Sequence, residues 1–313
     1  MSRSPGFQLA FATPRKLPKA RDLSGRVVVL DIAFASDAGG GGFEKATRPF
    51  IDALGPRLRA WVDHHDSAHH ALFAGDPRFV LATKAEHPAC PEMVTRELVE
   101  RVGPVDTIVC HGDFDGLASA GKWMRGGEEP YPGCDADARA VDTRLGWPGP
   151  IGARFDRAIR ARGRDAALLG LVVRHLAAGL EDASLWGPID AAGAEIEPRE
   201  AEARRLAEGF AIVAPGVALV DVATRRSPYD KTCLLLLGQE RAKISIVLDG
   251  ESATFAAAFN SGIDFLALFE LSGGMPTVVS VPRSRLEEGL RGLGVRPEDV
   301  SRLALTHPKP TAS

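Results

Sequence analysis

The sequence predicts an α/β protein, with a doubly wound, mostly parallel sheet domain followed by a second, smaller α/β domain. Three observations support this fold class. Short apolar runs alternate with helical segments over residues 25–145, which is typical of a parallel sheet with helices on both faces. After Pro215 and Gly216 the pattern changes to closely spaced apolar runs, which indicates a second domain. The chain has 313 residues, enough for two domains.

The individual elements follow from apolar periodicity and from turn residues. In the first domain, the predicted strands are 27–30, 60–62, 79–82 and 106–110, and the predicted helices are 47–58, 91–102 and 117–125. Further helices are predicted at 166–180 and 198–213. The predicted strands of the second domain are 217–222, 233–237, 244–248, 254–259 and 277–281. Ser284 and Glu287 form a capping-box pattern that would begin a last helix.

These patterns divide the chain into four predicted segments. They are a basic lead-in at 1–24, an α/β domain at 25–150, a helical connector at 151–213 and a smaller α/β domain at 214–313. The lead-in carries Arg15, Lys16, Lys19 and Arg21 together with two prolines, so we expect it to be exposed.

Composition and charge narrow the class of function. The net charge is −3, so the chain has no overall basic field that would hold long nucleic acid. No apolar run approaches the roughly 20 residues of a membrane span, and the N-terminus lacks the apolar core of a secretory signal. The four cysteines form no CxxC pair, which favours buried thiols in a reducing compartment. We therefore expect a cytoplasmic protein without a membrane partner.

Clusters of acidic residues and histidines follow predicted strands of the first domain. Asp63, His64 and His65 follow one strand, and residues 111–116, His-Gly-Asp-Phe-Asp-Gly, follow another. Asp31 ends a third. Because ligands of an open α/β sheet bind outside the carboxyl ends of its strands, we expect these side chains to converge. Carboxylates with a few imidazoles suit Mn²⁺, Mg²⁺ or Zn²⁺, so the pattern predicts a metal-dependent hydrolase.

The second cluster also has a purely structural explanation. Extended backbone would place His111, Asp113 and Asp115 on one side, before Gly116 lets the chain turn into a helix. Alternatively, the aspartates cap the helix and interact with its dipole, which explains one carboxylate better than two with a histidine. Asp142 ends another short apolar stretch and is equally compatible with a metal ligand and with the start of a turn.

At these residues the chain resembles the DHH phosphoesterase superfamily. That group includes RecJ-type single-strand exonucleases, nanoRNA and pAp phosphatases, cyclic-dinucleotide phosphodiesterases and manganese inorganic pyrophosphatases. Asp63, His64 and His65 are similar to the triplet that names the family, and residues 111–116 resemble its Asp-rich first motif. Asp31 resembles the lone aspartate of the second motif, and residues 140–143 are a weaker match to the fourth.

The order of the motifs differs from the family pattern, because the Asp-rich motif follows the DHH triplet here. The chain therefore looks circularly permuted, which a strand-end site tolerates because it depends on spatial order. Residues 272–275 resemble the glycine-rich element of the substrate-binding DHHA1 domain, with Met275 where the family usually has a histidine.

The resemblance implies a set of site residues. Two divalent ions, usually Mn²⁺ with Mg²⁺ as an alternative, would be held by Asp31, His64, His111, Asp113, Asp115 and Asp142. Asp31 would bridge the two ions. As catalytic residues, His65 would contact the substrate phosphate and Asp63 would orient the histidines. The candidate substrate-binding residues are Gly273, Gly274, Arg225, Arg226 and Lys231.

The predicted reaction is hydrolysis of a phosphomonoester or phosphodiester by water activated between two metals. The substrate would be a nucleotide, a short oligonucleotide or a cyclic dinucleotide, and a second copy of the chain, in a homodimer, is a further candidate partner. An alternative is a non-catalytic nucleotide-binding regulatory module with a degenerate DHH site, which would bind nucleotide without releasing phosphate. A zinc hydrolase of unrelated fold would instead prefer Zn²⁺ to Mn²⁺.

Overall fold

The computed structural model describes residues 7–36 and 42–295, which form two compact units. The first unit contains the described residues up to Ile196 together with Ser272–Gly274. The second contains Glu197–Leu271 and the described residues from Met275 onward. Residues 1–6 of the predicted lead-in and 296–313 of the predicted last domain lie outside the described residues. The predicted domain boundaries stay a prediction.

A five-stranded parallel sheet forms the centre of the first unit. The strands before residue 112 are β1 (Gln8–Ala12), β2 (Val27–Leu30), β3 (Leu58–Asp63), β4 (Asp66–Ser67), β5 (Phe79–Leu81) and β6 (Thr107–His111). All of them except β4 belong to this sheet, in the order β1-β6-β2-β3-β5. Every pairing in it is parallel, as predicted.

Helices cover both faces of this sheet. They are α1 (Arg48–Leu54), α2 (Arg96–Val102), α3 (Phe114–Met124), α4 (Cys134–Thr143), α5 (Pro150–Arg162), α6 (Ala166–Ala177) and α7 (Trp186–Ala194). Val28 and Ile108 belong to the core formed with α2 to α7, whereas Val27 and Val29 belong to the core that contains Phe50 of α1. Burial on both faces explains the continuous apolar strands and confirms the predicted doubly wound fold.

Strand β1 adds an edge strand that the sequence analysis does not predict. Residues 8–12 pair with β6 throughout their length. The Gln8 side chain ties this strand to the following turn, since its Nε2 donates to the Asp22 carbonyl at 2.9 Å and its Oε1 accepts from the Ser24 N–H at 2.7 Å. The apolar pattern of β1 is short and only partly buried, which makes it a weak signal in sequence.

The second unit contains a mixed sheet. In chain order, its elements and the short strand β11 are α8 (Glu197–Ala207), β7 (Ala211–Ala214), β8 (Val217–Asp221), α9 (Lys231–Gln239), β9 (Ile244–Asp249), β10 (Ser252–Ala257), α10 (Phe265–Leu268), β11 (Gly273–Gly274), β12 (Val278–Pro282) and α11 (Leu286–Gly292). β11 belongs to the first unit. The sheet order is β12-β10-β9-β8-β7, and only β8 and β9 are parallel. Helices α8 and α9 pack on one face, and α10 and α11 on the other.

Three local predictions are wrong. Residues 233–237 form part of helix α9 and not a strand, because Asp230 caps the helix by accepting from the Cys233 N–H at 2.8 Å. Residues 211–213 of the predicted helix 198–213 belong instead to strand β7, which pairs with β8. Helix α11 has Arg285 as its N-cap and no side-chain cap, so the Ser284 capping box does not form. None of the helices in residues 7–36 and 42–295 is long and apolar enough to span a bilayer.

Candidate metal centre

The carboxyl ends of three neighbouring strands bring the predicted site residues together. Strand β2 pairs with β6 on one side and with β3 on the other. Asp31, which follows β2, therefore lies between the cluster after β6 and the cluster after β3. The three motifs meet at one edge of the sheet although they are far apart in sequence, as expected from spatial order.

Asp31 occupies the centre of this edge in an uncommon backbone conformation. Its φ angle is 58°, in the left-handed region that Asp and Asn tolerate better than most residues. Its side chain is buried, and neither carboxylate oxygen has a hydrogen-bond partner among the described residues. Burial, together with the negative charges of Asp115 and Asp113, raises the pKa of this carboxyl well above its usual value. Nε2 of His64, 3.3 Å from Oδ1, acts against this shift in pKa but does not cancel it.

The first donor set consists of Asp31, His111 and Asp113, whose candidate ligand atoms lie within 4.8 Å of one another. Nδ1 of His111 is 2.7 Å from Oδ2 of Asp113 and 3.8 Å from Oδ2 of Asp31. Oδ1 of Asp113 accepts from the Gly116 N–H at 3.1 Å, so Asp113 is also the N-cap of α3. The side chains of His111 and Asp113 are 28% and 44% exposed, which opens this set to solvent.

Mutual attraction shifts the ionisation of this pair. Burial alone would lower the pKa of His111, but the Asp113 carboxylate outweighs it and raises that pKa to about 10. The charge of His111 in turn lowers the pKa of Asp113 against the effect of burial. A metal ion that binds here has to displace a proton from His111, which couples metal affinity to pH.

The second donor set consists of His64, Asp115 and Asp142, again with ligand atoms within 4.8 Å of one another. Nε2 of His64 is 3.0 Å from Oδ2 of Asp115 and 3.3 Å from Oδ1 of Asp31. On the opposite side of the ring, Nδ1 donates to the His87 carbonyl at 2.7 Å, a contact that fixes the orientation of a metal-binding histidine. His64 and Asp115 are fully buried and Asp142 is 16% exposed, so this set is nearly closed to solvent.

Burial and proximity also shift the pKa values in the second set. Burial opposes a charge on His64, but the Asp115 carboxylate outweighs it and raises the pKa of His64 to about 11. Burial raises the pKa of Asp115, against the effect of His64. Both oxygens of Asp115 accept from the Cys90 N–H, at 3.1 and 3.2 Å, which holds the carboxylate in place.

Lys84 lies within the second set and is absent from the residues predicted from the sequence. Its ammonium contacts Oδ2 of Asp142 and lies 3.3 Å from Nε2 of His64. Burial would lower the pKa of Lys84, but the charges of Asp142 and Asp115 outweigh it and raise that pKa. Lys84 comes two residues after the predicted strand at 79–82. A search for polar residues after that strand, as after the other three, would have included Lys84 among the candidate site residues.

Asp63 and His65 form a pair beside the first set. Oδ1 of Asp63 lies 2.8 Å from Nδ1 of His65, and that nitrogen is 3.8 Å from Oδ1 of Asp31. Burial would raise the pKa of Asp63, but the charge of His65 outweighs it and lowers that pKa. Asp63 is fully buried and His65 is 19% exposed, so the carboxylate orients a ring that reaches the surface.

The two glycines of β11 lie against the chain that follows His65. Gly273 pairs with Ser67 and Gly274 with Asp66 in an antiparallel bridge. A Cβ on Gly273 would lie 2.6 Å from the Asp66 carbonyl oxygen, and Gly274 has a φ of 134°. Because these two residues have no side chains, the backbone of β4 can approach them closely. The predicted contact of Gly273 and Gly274 with substrate stays a prediction.

The three predicted basic residues belong to the second unit. Arg225 donates to Oδ1 of Asp249 and lies 4.7 Å from the centre of the Tyr229 ring. Arg226 is exposed. Lys231 begins α9, and burial lowers its pKa. Arg225 is thus held by contacts within its own unit, and the substrate-binding role of all three stays a prediction.

The two donor sets differ in how well they fit a divalent cation. The first combines carboxylate oxygens with an imidazole, a donor set suited to Mn²⁺. A cation there would supply the partner that the oxygens of Asp31 lack. The second has suitable donor types, but the ammonium of Lys84 already lies among them. The residues therefore fit an ion in the first set and not in the second as it stands.

Solved structures to which the chain is similar include two of RecJ and one of a pGpG-specific phosphodiesterase. One is exonuclease RecJ bound to manganese, with a TM-score of 0.44 and 14% identity over 91% of this chain and 79% of that chain. A pGpG-specific phosphodiesterase from Vibrio cholerae has a TM-score of 0.44 and 12% identity over 90% of this chain and 97% of that chain. RecJ from Thermus thermophilus in complex with Mn²⁺ has a TM-score of 0.46 and 14% identity over 92% of this chain and 46% of that chain.

No protein-family model and no curated protein matches the chain. Because all three TM-scores are below 0.5, the function proposed next depends on the geometry of the two donor sets.

Proposed function

We propose that the chain is a metal-dependent phosphoesterase of the DHH type. The observation that carries this proposal is the buried carboxylate of Asp31, which has no hydrogen-bond partner among the described residues and adjoins a solvent-open set of metal donors. A buried charge needs compensation, and a bound cation supplies it. Mn²⁺ is the proposed ion and Mg²⁺ the alternative, since both accept carboxylate ligands.

Asp31, His111 and Asp113 would hold this ion. When bound, a divalent ion polarises a phosphoryl oxygen and allows water to act as a nucleophile at neutral pH. Asp63 fixes His65 through Nδ1, which leaves Nε2 to face the substrate, where the protonated ring donates to a phosphate oxygen. Removing Asp63 would therefore disorder a phosphate contact without removing a donor of the first set.

The proposed substrate is a phosphate ester that carries a nucleobase. Trp147 is 95% exposed and follows Asp142 by five residues, in the loop between α4 and α5. An exposed indole ring provides a face on which a base can stack. Gly273, Gly274, Arg225, Arg226 and Lys231 remain the proposed substrate contacts from the sequence.

The direct test is a screen for phosphate-ester hydrolysis with added Mn²⁺. The substrates are pAp, short RNA, short DNA, cyclic dinucleotides and pyrophosphate, and Asp113→Asn is the inactive control. We expect turnover of at least one nucleotide substrate, loss of turnover in chelator and recovery with Mn²⁺. Full activity in chelator would exclude the metal-dependent mechanism. Nucleotide binding without hydrolysis of any substrate would favour the non-catalytic module.

A second variant tests the substrate class. Trp147→Ala should raise KM for the nucleotide substrate, because base stacking contributes about 1–3 kcal/mol per base. Its activity on bis(p-nitrophenyl) phosphate, which has no nucleobase, should match that of the unmodified protein. An equal change in KM for both substrates would show that Trp147 does not read the base.

A further inference from the structure

Lys84 places a positive charge inside the second donor set. Its ammonium contacts Oδ2 of Asp142 and lies 3.3 Å from Nε2 of His64. These two residues and Asp115 are one group of donors that a second metal ion could use. The other group, Asp31, His64 and His65, includes the same imidazole that Lys84 faces. The side chain of Lys84 is only 3% exposed. Lys84 is therefore a buried part of the site and not a surface side chain.

The sheet brings Lys84 to this position. Strand β5 pairs in parallel with β3 up to the pair of Leu81 and Asp63. The N–H of Ala82 then donates to the Asp63 carbonyl at 3.0 Å, which continues the pairing past the end of the strand. The chain that leaves β5 toward Lys84 thus runs beside the chain that leaves β3 toward His64.

A tight turn then fixes Lys84 against His64. The N–H of His87 donates to the Thr83 carbonyl at 3.0 Å, and the N–H of Thr83 donates to Oε2 of Glu86 at 2.8 Å. The carbonyl of His87 accepts from Nδ1 of His64, while Lys84 faces Nε2 of the same ring. One turn therefore contacts both nitrogens of this imidazole.

Charge balance explains why the lysine and a second ion exclude each other. Asp142, Asp115 and Asp31 all act electrostatically on Lys84. An ammonium among these carboxylates offsets their repulsion, as a metal ion would, and it repels a dication in the same volume. To admit the ion, the buried stem of Lys84 would have to leave its packed position.

We propose that the ammonium group of Lys84 takes the place of a second metal ion, so that the chain binds one divalent ion, at Asp31, His111 and Asp113. This refines the proposed phosphoesterase and rests on it for the first ion. The metal supplies the exchangeable positive charge of the site, and Lys84 supplies a fixed one. The activity should then depend on the metal concentration as expected for saturation of a single site.

The test counts metal ions without any substrate. The protein is saturated with MnCl₂ and freed of excess salt, and bound manganese per chain is measured by elemental analysis. Electron paramagnetic resonance separates an isolated ion from two ions coupled through a shared carboxylate. The variants are Lys84→Met, which keeps the bulk of the side chain without its charge, and Asp113→Asn, which removes a donor of the first set.

Lys122→Met is the matched control for loss of a buried lysine. Lys122 is also buried, and its Nζ donates to Asp135 at 2.5 Å and to the Pro91 carbonyl at 2.9 Å, outside both donor sets. We expect one isolated ion in the unmodified protein and in Lys122→Met. Two coupled ions are expected in Lys84→Met, and none in Asp113→Asn.

Two coupled ions in the unmodified protein would overturn the proposal. A folded Lys84→Met that still binds one ion would also overturn it, because the lysine would not be what excludes the second. If Lys84→Met does not fold, the other proteins decide: one ion in the unmodified protein and none in Asp113→Asn supports the proposal, whereas an ion retained by Asp113→Asn contradicts it.

Failure of the proposed function gives a different result. One bound ion with no hydrolysis of any substrate would end the phosphoesterase proposal and leave the assignment of Lys84 standing. An unmodified protein that binds no manganese would end both.

Discussion

The two donor sets meet at Asp31, which belongs to the first set and lies 3.3 Å from His64 of the second, but they differ in access and in the source of their positive charge. His111 and Asp113 of the first set are 28% and 44% exposed, whereas His64 and Asp115 of the second are fully buried. The second set contains the ammonium of Lys84, and the first contains no lysine among the residues that the structure describes. Similar donors thus make an open position for an exchangeable ion and a closed position for a fixed charge.

The largest effect should come from the open set. Asp113→Asn removes a charged metal donor, so we expect loss of essentially all Mn²⁺-dependent turnover. Helix α3 should remain intact, because Asn also caps helices well. Asp165→Asn is the matched control, since Asp165 caps α6 outside both sets. Steady-state kinetics and circular dichroism of both variants check this prediction, and substantial Mn²⁺-dependent activity in Asp113→Asn would contradict it.

The next largest effect should come from the residue proposed to contact phosphate. His65→Gln should lower kcat by about 10–100-fold, the range for residues that support a metal site. The number of bound manganese ions should stay unchanged, because His65 lies outside both donor sets as proposed. Kinetics together with elemental analysis separate the two roles. A loss of bound metal in His65→Gln would make His65 a ligand, as the proximity of Asp31, His64 and His65 also permits.

The pH dependence of metal binding distinguishes one occupied set from two. The pKa of His111 is raised to about 10, so below that pH one proton leaves when an ion enters the first set. The affinity for Mn²⁺ should therefore rise about tenfold per pH unit between pH 6 and 8. Calorimetric titrations in buffers of different ionisation enthalpy measure this release. Asp31 also has a raised pKa and could release a second proton. A slope near two protons per chain that falls to one in His64→Gln would show that His64, with a pKa raised to about 11, also loses its proton.

Opposite changes in stability should distinguish the two buried aspartates. The pKa of Asp31 is raised, so its ionisation costs folded-state stability as the pH rises. Asp31→Asn should therefore raise the Tm of the metal-free protein near pH 8, by about 2–4 °C per kcal/mol, and have less effect in acid. Asn also tolerates the left-handed backbone at this position.

Asp63→Asn is the contrasting variant. The pKa of Asp63 is lowered by His65, so its stabilisation is present above the pKa of the unfolded chain and is lost as the pH falls through the folded value. That variant should lose Tm at pH 8. Thermal unfolding of both variants at several pH values is the measurement, and a fall in Tm for Asp31→Asn would show that the Asp31 charge is already compensated.

The smallest expected effect concerns β11. Gly273→Ala would bring a methyl group within 2.6 Å of the Asp66 carbonyl oxygen, so the bridge has to shift at a cost of roughly 1–3 kcal/mol. Gly170→Ala on helix α6 meets no atom within 4 Å and should be neutral or slightly stabilising. Chemical denaturation compares the two. An unchanged Gly273→Ala would mean that the bridge is not needed to hold the chain after His65.

The sequence predicts the sheet and the open set well because both depend on local patterns. Val27–Leu30 is apolar on both faces and is followed by Asp31, which is enough to predict a buried parallel strand with a candidate ligand after its end. The closed set is less predictable. Asp142 reaches it from a helix and not from a strand. Lys84 follows a predicted strand, but its approach to His64 depends on a turn whose geometry only the folded sheet defines.

The second unit shows the same limit. The apolar run at 233–237 suits a strand by composition, but the cap at Asp230 makes it helical. A composition rich in leucine does not distinguish a buried strand from one face of a helix. Burial on that helix is one-sided, with Leu234 and Leu235 buried and Leu236 partly exposed, and only the fold reveals this.

Hydrogen exchange in the turn that carries Lys84 would show which donor set holds an ion. The amides of Glu86 and His87 both donate to the Thr83 carbonyl at 3.0 Å, so each exchanges its hydrogen with solvent only when the turn opens. Opening also separates the His87 carbonyl from His64. An ion that anchors His64 would slow exchange at these two amides, whereas an ion confined to the open set would leave their rates nearly unchanged.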